Sequence, residues 1–532
     1  MVHIGIDLGT TNSVVAYVED GEAEIVENSA RGEDTTPSAV MIDHDGGESP
    51  EVTVGGPALS KRVTEPEKIV TRAKDHMGET DENGEPVMLT ADGEEYRPEK
   101  VSSYILESLI RDANDKVDDI GGVVVTVPYY FNEQSRQATR RAFELIDFEA
   151  LDIEDIQLDR LMNEPTAAVQ AYALEDEEFT GTALVYDLGG GTFDATLVEV
   201  AEDYTEVLGT IGRRDLGGEN FDDELYGYVR DEIVDQGLMD PDEDPRIEQQ
   251  VRETVVERKE DLTKMNATTF DLLLGTDSFR MELDHENFEN VTGHLVEETL
   301  DALDELFDDD EVDVAQGDVD EVILVGGSTR IPLVEQEVES YFGFDVNKSI
   351  SPDKAVGIGA AVEAQRYDGN KTIGPGPDPN PTIDVLSHSL GVEAYEEGAG
   401  EDDDPIFDPI LERNQSVPHE ETEVYQTMYD DQTEIASRIL QGEGEMADDP
   451  ENEELATFTL TDIEPRPANQ TRIDVTFTVD DQGMLEAEAE DRESGEKVTI
   501  ELDDPLSMDE EELEGEKRNR GSLRRPGDEQ EE

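Results

Sequence analysis

The residues of this chain best suited to chemistry gather at glycine turns. Asp187 to Asp194 reads DLGGGTFD and lies between two apolar runs, Ala183 to Tyr186 and Ala195 to Val200, a strand, glycine turn, strand pattern. Three consecutive glycines are costly in a plain hairpin, because glycine loses more backbone freedom on folding than any other residue. Phosphate is the guest that would use the room. Gly189, Gly190 and Gly191 would let backbone N–H groups crowd around phosphate oxygens, Thr192 adds a hydroxyl, and Asp187 and Asp194 bring carboxylates that suit magnesium and its waters. Taken alone, the run fits a structural hairpin equally well.

The opening segment repeats the plan. HIGIDLGTTNSVVAYVED, from His3 to Asp20, sets Asp7 and the turn residues Gly9, Thr10, Thr11 and Asn12 between apolar strands, and Asp7 and Asp187 lie 180 positions apart. Two copies of one subdomain are the expectation, with turns that could face each other across one phosphate chain. Two more turns bring backbone close to a ligand: DLGGENFD with Gly217 and Gly218, and VDEVILVGGSTRIP with Gly326, Gly327, Ser328 and Arg330. Lys74 stands in EKIVTRAKDHMG, an amphipathic segment where the plain reading is a solvated helix lysine. Glu164 opens the helix NEPTAAVQAYAL with Pro165 in its first turn, and there a capping carboxylate is the plain reading. Asp353 stands near the start of the small-residue helix Ser351 to Gln365.

Strands alternating with helices must hold these turns. A helix over Pro98 to Val117, a strand over Gly121 to Pro128 and a helix from Asn132, its expected cap, argue for an α/β sheet domain. At 532 residues the chain exceeds one core. The 138 acidic against 39 basic residues give a net charge of −99, spread along the whole length. Self-repulsion of that size opposes compaction in dilute buffer, whereas at ~1 M salt the screening length is about 3 Å and the penalty largely vanishes, so a salt-adapted cytoplasm is the expected setting. The same charge argues against nucleic acid as a partner. With 0 cysteines, disulfides, thiolate metal sites and a cysteine nucleophile are excluded. The N-terminus reads as a strand without a leader, and no stretch approaches the ~20 apolar residues of a membrane span, so a cytoplasmic protein is expected.

After Tyr367 the pattern changes. Lys371 to Pro381 is rich in Pro and Gly and reads as a linker. Beyond it only strand patterns remain, with Ile473, Val475, Phe477 and Val479 on one face, and a compact antiparallel sandwich is expected.

The turns IGIDLGTTNS, VYDLGGGTFD, DLGGENFD and LVGGSTRIP, with TVPYYFN and NEPTAA, resemble the seventy-kilodalton heat-shock chaperone (DnaK) family over nearly the whole chain. The resemblance implies an α/β actin-like two-lobed ATPase domain over residues 1–370, a linker over 371–384 and an all-β peptide-binding sandwich over 385–503. Residues 504–532 then read as a disordered polar tail in place of the family's helical lid. ATP and ADP, magnesium and potassium are the cofactors it implies. Asp7, Gly9, Thr10, Thr11 and Asn12 match one phosphate loop, and Gly189, Gly190, Gly191 and Thr192 match the other. Lys74 matches the lysine at the γ-phosphate and attacking water, Asp7, Glu164 and Asp187 the carboxylates around magnesium, and Asp194 the one that orients water. Gly217, Gly218, Lys259, Gly326, Gly327, Ser328, Arg330 and Asp353 fall around sugar and base. In the sandwich, Val392, Tyr425 and Ile435 match the peptide pocket, and Tyr395 with Met428 the arch over it.

The chain departs from the family in several places. The family's Glu three before Lys259 is Val256, with Glu260 replacing a basic residue, so the adenosine clamp could shift to Glu257. The linker TIDVLSHSLGVE keeps part of the usual apolar character, and Asp147 to Asp159 reads as an insertion. An ATP-dependent chaperone for unfolded apolar segments is implied, with a J-domain protein, for which Arg160 and Asn163 match contact positions, and a nucleotide-exchange factor as partners. The alternatives are a regulatory actin-like ATPase whose sandwich docks one dedicated partner, and a small-molecule phosphotransferase of the actin and sugar-kinase superfamily.

Overall fold

The computed structural model describes residues 1–44, 49–81, 85–117, 119–148, 153, 156–175, 179–201, 204–309, 312, 314–367, 382–396, 404–461, 463–480, 483–495, 497–500, 508 and 510–524. The linker stretch 371–381 and residues 149–152 and 154–155 of the expected insertion lie outside them.

The two halves anticipated from the repeated turn are two sheets. In the first, Gln157–Asn163, Ile120–Val127 and Val2–Asp7 run parallel, and Asn12–Glu19 then Glu22–Ile25 follow antiparallel. In the second, Glu321–Val325 runs parallel to Gly181–Leu188, and Phe193–Val200 and Thr205–Arg213 follow antiparallel. Register places Asp187 opposite Asp194 across the hairpin. The helices Glu164–Glu175 and Ala355–Ala364 lie between the sheets, and their small residues are there because backbone meets backbone. A side chain at Gly359 would run into the Ala167 carbonyl, and one at Gly5 into the backbone of Ala360 and Ala361. The cluster they build takes Val124 from the first sheet and Val185 and Ile323 from the second, so one core spans both lobes. Asn132 caps its helix as expected, its side chain accepting from the Ser135 amide at 2.8 Å.

The sandwich consists of two four-stranded antiparallel sheets, with Ile473, Val475, Phe477 and Val479 on the buried face of Arg472–Val479. Its position is fixed by the linker. Thr382–Val385 extends the second-lobe sheet by pairing in parallel with Thr205 and Glu206, and its other edge takes Ser416–Val417 of the sandwich. Val385 and Leu386 are buried, so even a partly apolar linker seals this seam. Polar groups complete it: Asn163 Nδ2 donates to Asp384 at 2.7 Å, Tyr129 Oη donates to the Leu386 carbonyl, and Arg413 pairs with Asp309 at 2.5 Å.

Two expectations are corrected. Lys74 does not sit on a solvated helix; Ile69–Thr71 is a strand and Ala73–His76 a 3₁₀ turn that buries the lysine. The expected disordered tail is ordered where described: Glu510–Arg518 is a helix and Ser522–Leu523 a strand against Glu51–Val54 of the first lobe. A polar composition hid two burying residues, Arg520 and Leu523, whose partners lie more than 370 positions away.

Candidate nucleotide site

Each sheet ends in a glycine turn, and the turns meet. Gly190 approaches Thr11 so closely that a side chain there would strike the Thr11 hydroxyl. The first turn is held by Ser38 Oγ, which donates to the Gly9 carbonyl at 2.6 Å, and by Thr10 Oγ1, which donates to Asp75 at 2.9 Å. In the second, the Gly189 amide donates to the Thr192 carbonyl at 2.9 Å.

The third and fourth turns brace the second. The Gly189 carbonyl accepts from the Gly218 amide at 3.0 Å and from Ser328 Oγ at 2.7 Å, and Lys259 Nζ donates to the Gly218 carbonyl at 2.8 Å. Gly326 has φ +83°, and a side chain there would meet the Leu188 carbonyl and Asp187, so only glycine allows this close approach. Arg330 pairs with Asp353 at 2.5 Å and donates to Ser351 Oγ at 2.9 Å. Glu257, the residue to which the adenosine clamp could shift, is 68% exposed and pairs with Arg258 at 3.2 Å.

At the base of the cleft four carboxylates share one nearby ammonium. Lys74, 6% exposed, donates to Glu164. Burial alone would lower its pKa, yet Glu164, Asp7 and Asp187 raise it above the ordinary lysine value. Asp7 is pushed up to about 7, by burial first and then by Glu164, while Lys74 and the Thr126 hydroxyl, 3.3 Å away, pull it down. Asp194 rises to about 8 by burial and Glu164, opposed by Lys74 and Arg214, and Asp187 rises by burial, Glu164, Asp194 and Asp7. Keeping these buried carboxylates ionised calls for a cation beside them. Asp194 Oδ1 is buried without a hydrogen-bond partner in the structure, a free acceptor for water. Among the described residues no three acidic or histidine side chains converge as direct metal ligands.

Several residues around the site escaped the sequence reading. Arg72, with left-handed φ 62°, pairs with Asp75 at 2.7 Å and reaches across the cleft to Glu219 of the second lobe. The Tyr130 ring lies 5.3 Å from the Arg214 guanidinium. The available signal was the charged run RAKD around Lys74 in a chain poor in cations. In the sandwich, Tyr425 and Ile435 pack on the core cluster that contains Val392, whereas Tyr395 is exposed and Met428 lies outside that cluster. Tyr425 Oη donates to Asp408 at 2.9 Å. Arg160 and Asn163 are buried, bonded to Glu363 and to Arg136 and Asp384 respectively.

The family model for the Hsp70 protein matches residues 3–522, nearly the whole of this two-lobed chain with its docked sandwich. The chain belongs to the Hsp70 family. It is 38% identical over 507 residues to the chaperone protein DnaK of Halobacterium salinarum, covering 94% of this chain and 75% of that protein. To the chaperone protein DnaK of Thermotoga petrophila it is 35% identical over 519 residues, covering 96% of this chain and 82% of that protein. The DnaK of Thermotoga maritima matches to the same extent. The fold is therefore the Hsp70 fold, an actin-like ATPase domain with a β-sandwich, and the chain is an Hsp70 chaperone and an ATPase. Hsp70 proteins bind ATP and ADP with magnesium, which matches the charge deficit of this cleft. No helix among the described residues of this Hsp70 is long and apolar enough to cross a membrane.

Proposed function

We propose that this chain uses ATP hydrolysis in the cleft to set how tightly its sandwich holds extended apolar segments of unfolded proteins. The observation that carries the proposal is the shared sheet: Phe193–Val200, which bears Asp194, and the docked linker strand Thr382–Val385 are separated by the single strand Thr205–Arg213. A shift of the hairpin on hydrolysis acts on the linker through one strand, and the linker holds the sandwich. Coupling through such a packed element has a physical path.

In this proposal the triphosphate lies between the loops Gly9 to Asn12 and Gly189 to Thr192, held by their N–H groups. Gly217, Gly218, Lys259, Gly326, Gly327, Ser328, Arg330 and Asp353 surround sugar and base. Asp7, Glu164 and Asp187 would hold magnesium through its waters, and the bound ion, with potassium as a companion, would supply neutralisation of phosphate charge. Thr192 and Asp194 orient the water that attacks the γ-phosphorus. As the new P–O bond forms, the bond to the bridging oxygen breaks and leaves ADP, and the water's proton passes to a phosphate oxygen or to solvent, giving inorganic phosphate. Lys74 stabilises charge spread over the transferring group. Val392, Tyr425 and Ile435 take the apolar side chain of the segment, and Tyr395 and Met428 flank its backbone. A J-domain partner that contacts Asn163 must first displace Asp384, and one that contacts Arg160 must compete with Glu363, because both residues are buried against these partners in the docked arrangement. A nucleotide-exchange factor would complete the cycle.

The test is release of a fluorescent apolar peptide in molar KCl with ATP, with ADP and without nucleotide. ATP is expected to speed release at least about tenfold over ADP, and Thr192→Ala to slow the hydrolysis that reverses this. Equal release rates in all three conditions would overturn the proposal. ADP formation that depends on an added sugar or other small acceptor would favour a phosphotransferase instead.

A further inference from the structure

The chain returns to the first lobe after the sandwich, and the nucleotide cleft makes no use of that return. Helix Glu510–Arg518 gives way to Ser522–Leu523, which pairs in parallel with Glu51–Val54 at the edge of a four-stranded sheet. The Ser522 amide donates to the Pro50 carbonyl at 3.2 Å and the Arg524 amide to the Val52 carbonyl at 2.8 Å. Three residues make the fit selective. Arg520 donates to the carbonyls of Leu145 at 2.6 Å and Ser103 at 2.9 Å, pairs with Glu107 at 2.6 Å, and lies 4.6 Å over the Tyr104 ring. Gly521 donates to Tyr104 Oη at 3.2 Å, and a side chain on it would strike the Pro50 carbonyl and Val52. Leu523 is buried and joins the first-lobe core. At the margins Lys100 pairs with Glu516 at 2.5 Å, and Arg524 with Glu51.

Burying a guanidinium is costly unless carboxylate, carbonyls and an aromatic face receive it, and here all four receiving groups belong to the ATPase domain. That is a receptor for one side chain, set beside a sheet edge that takes an extended backbone. We propose that this groove is a segment-recognition site for the pattern Arg-Gly-x-Leu, and that its resident ligand is the chain's own residues 518–524. The sandwich is then tethered twice, to the second lobe through Thr382–Val385 and to the first through this arm. Glu107 also pairs with Arg111 of the first lobe at 2.6 Å, so its charge has a second partner besides the arm.

To test this, a protease site is placed within residues 501–507 of the full-length chain and cut after folding, so that the protein never has to fold without the arm. The released C-terminal fragment is expected to co-elute with the body on size exclusion in molar KCl. Excess synthetic peptide covering residues 510–525 should displace it, and the same peptide carrying Arg520→Ala or Gly521→Val should be at least about tenfold weaker. In the uncut protein, hydrogen exchange at the Ser522 and Arg524 amides should be slow. Loss of the fragment on cutting, equal displacement by all three peptides, or exchange of those amides at the rate of an open chain would each overturn the proposal. Dimers formed by exchange of arms between copies would overturn the assignment of the arm to its own groove.

Discussion

Replacing Lys74 by alanine removes the ammonium closest to the cleft carboxylates. That ammonium is 6% exposed and acts on Glu164, Asp7 and Asp187. Without it Asp7, Asp187 and Asp194, already raised by burial and by Glu164, take up protons more readily, and incoming phosphates meet a more negative site. A fixed cation of this kind counts most when charge builds on the transferring phosphoryl group, and removing one preorganised donor typically costs about 3–4 kcal/mol of barrier, or roughly 10²–10³ in rate. Nucleotide affinity should fall by less than about tenfold, because the glycine turns and the Lys259 and Ser328 contacts that brace them are untouched. Single-turnover ADP formation from pre-bound ATP gives the rate, and equilibrium titration with labelled nucleotide gives the affinity. A rate within about threefold of wild type would refute the role, as would losses of rate and affinity by the same factor, which signify uniform binding.

Gly326→Ala, at φ +83° against the Leu188 carbonyl, should cost about 1–3 kcal/mol in thermal unfolding and lower nucleotide affinity; an unchanged melting temperature would contradict the close approach. His388 is held from 6.5 down to about 4 by burial and by Arg214, Arg413 and Arg136, so its contribution is complete above pH 6.5 and lost as pH falls through about 4. At ~1.4 kcal/mol per tenfold, that is up to about 3 kcal/mol. Melting temperature should therefore fall more steeply between pH 7 and pH 4.5 in wild type than in His388→Gln, and parallel curves would refute the assignment. With a net charge of −99, the melting temperature should climb with KCl up to about 1 M, and a flat profile would show that repulsion between carboxylates does not limit stability.

Much of the cleft was legible because its chemistry is local. DLGGGTFD carries its own strand, turn and strand, and the pairing of Asp187 with Asp194 follows from the hairpin that the glycines permit. The apolar alternation of Ile473 to Val479 likewise needs only the period of a strand to be read as one buried face. Arg72 was not legible, since an arginine in a polar turn looks solvated until the second lobe brings Glu219 to it. Nor could spacing separate Lys74 from an ordinary helix lysine.

The sequence by itself determined the four glycine turns, the alternation of strands and helices before Tyr367, the strand patterns after it, and the acidic surface. These properties lie within a few residues or in the composition as a whole. Only the tertiary structure decided that the turns face one another, that the linker strand joins the second-lobe sheet, and that the segment after helix Glu510–Arg518 anchors Arg520 beside Glu107. Those contacts join residues hundreds of positions apart, and whether a polar side chain meets water or a buried partner there depends on the packing of the domains.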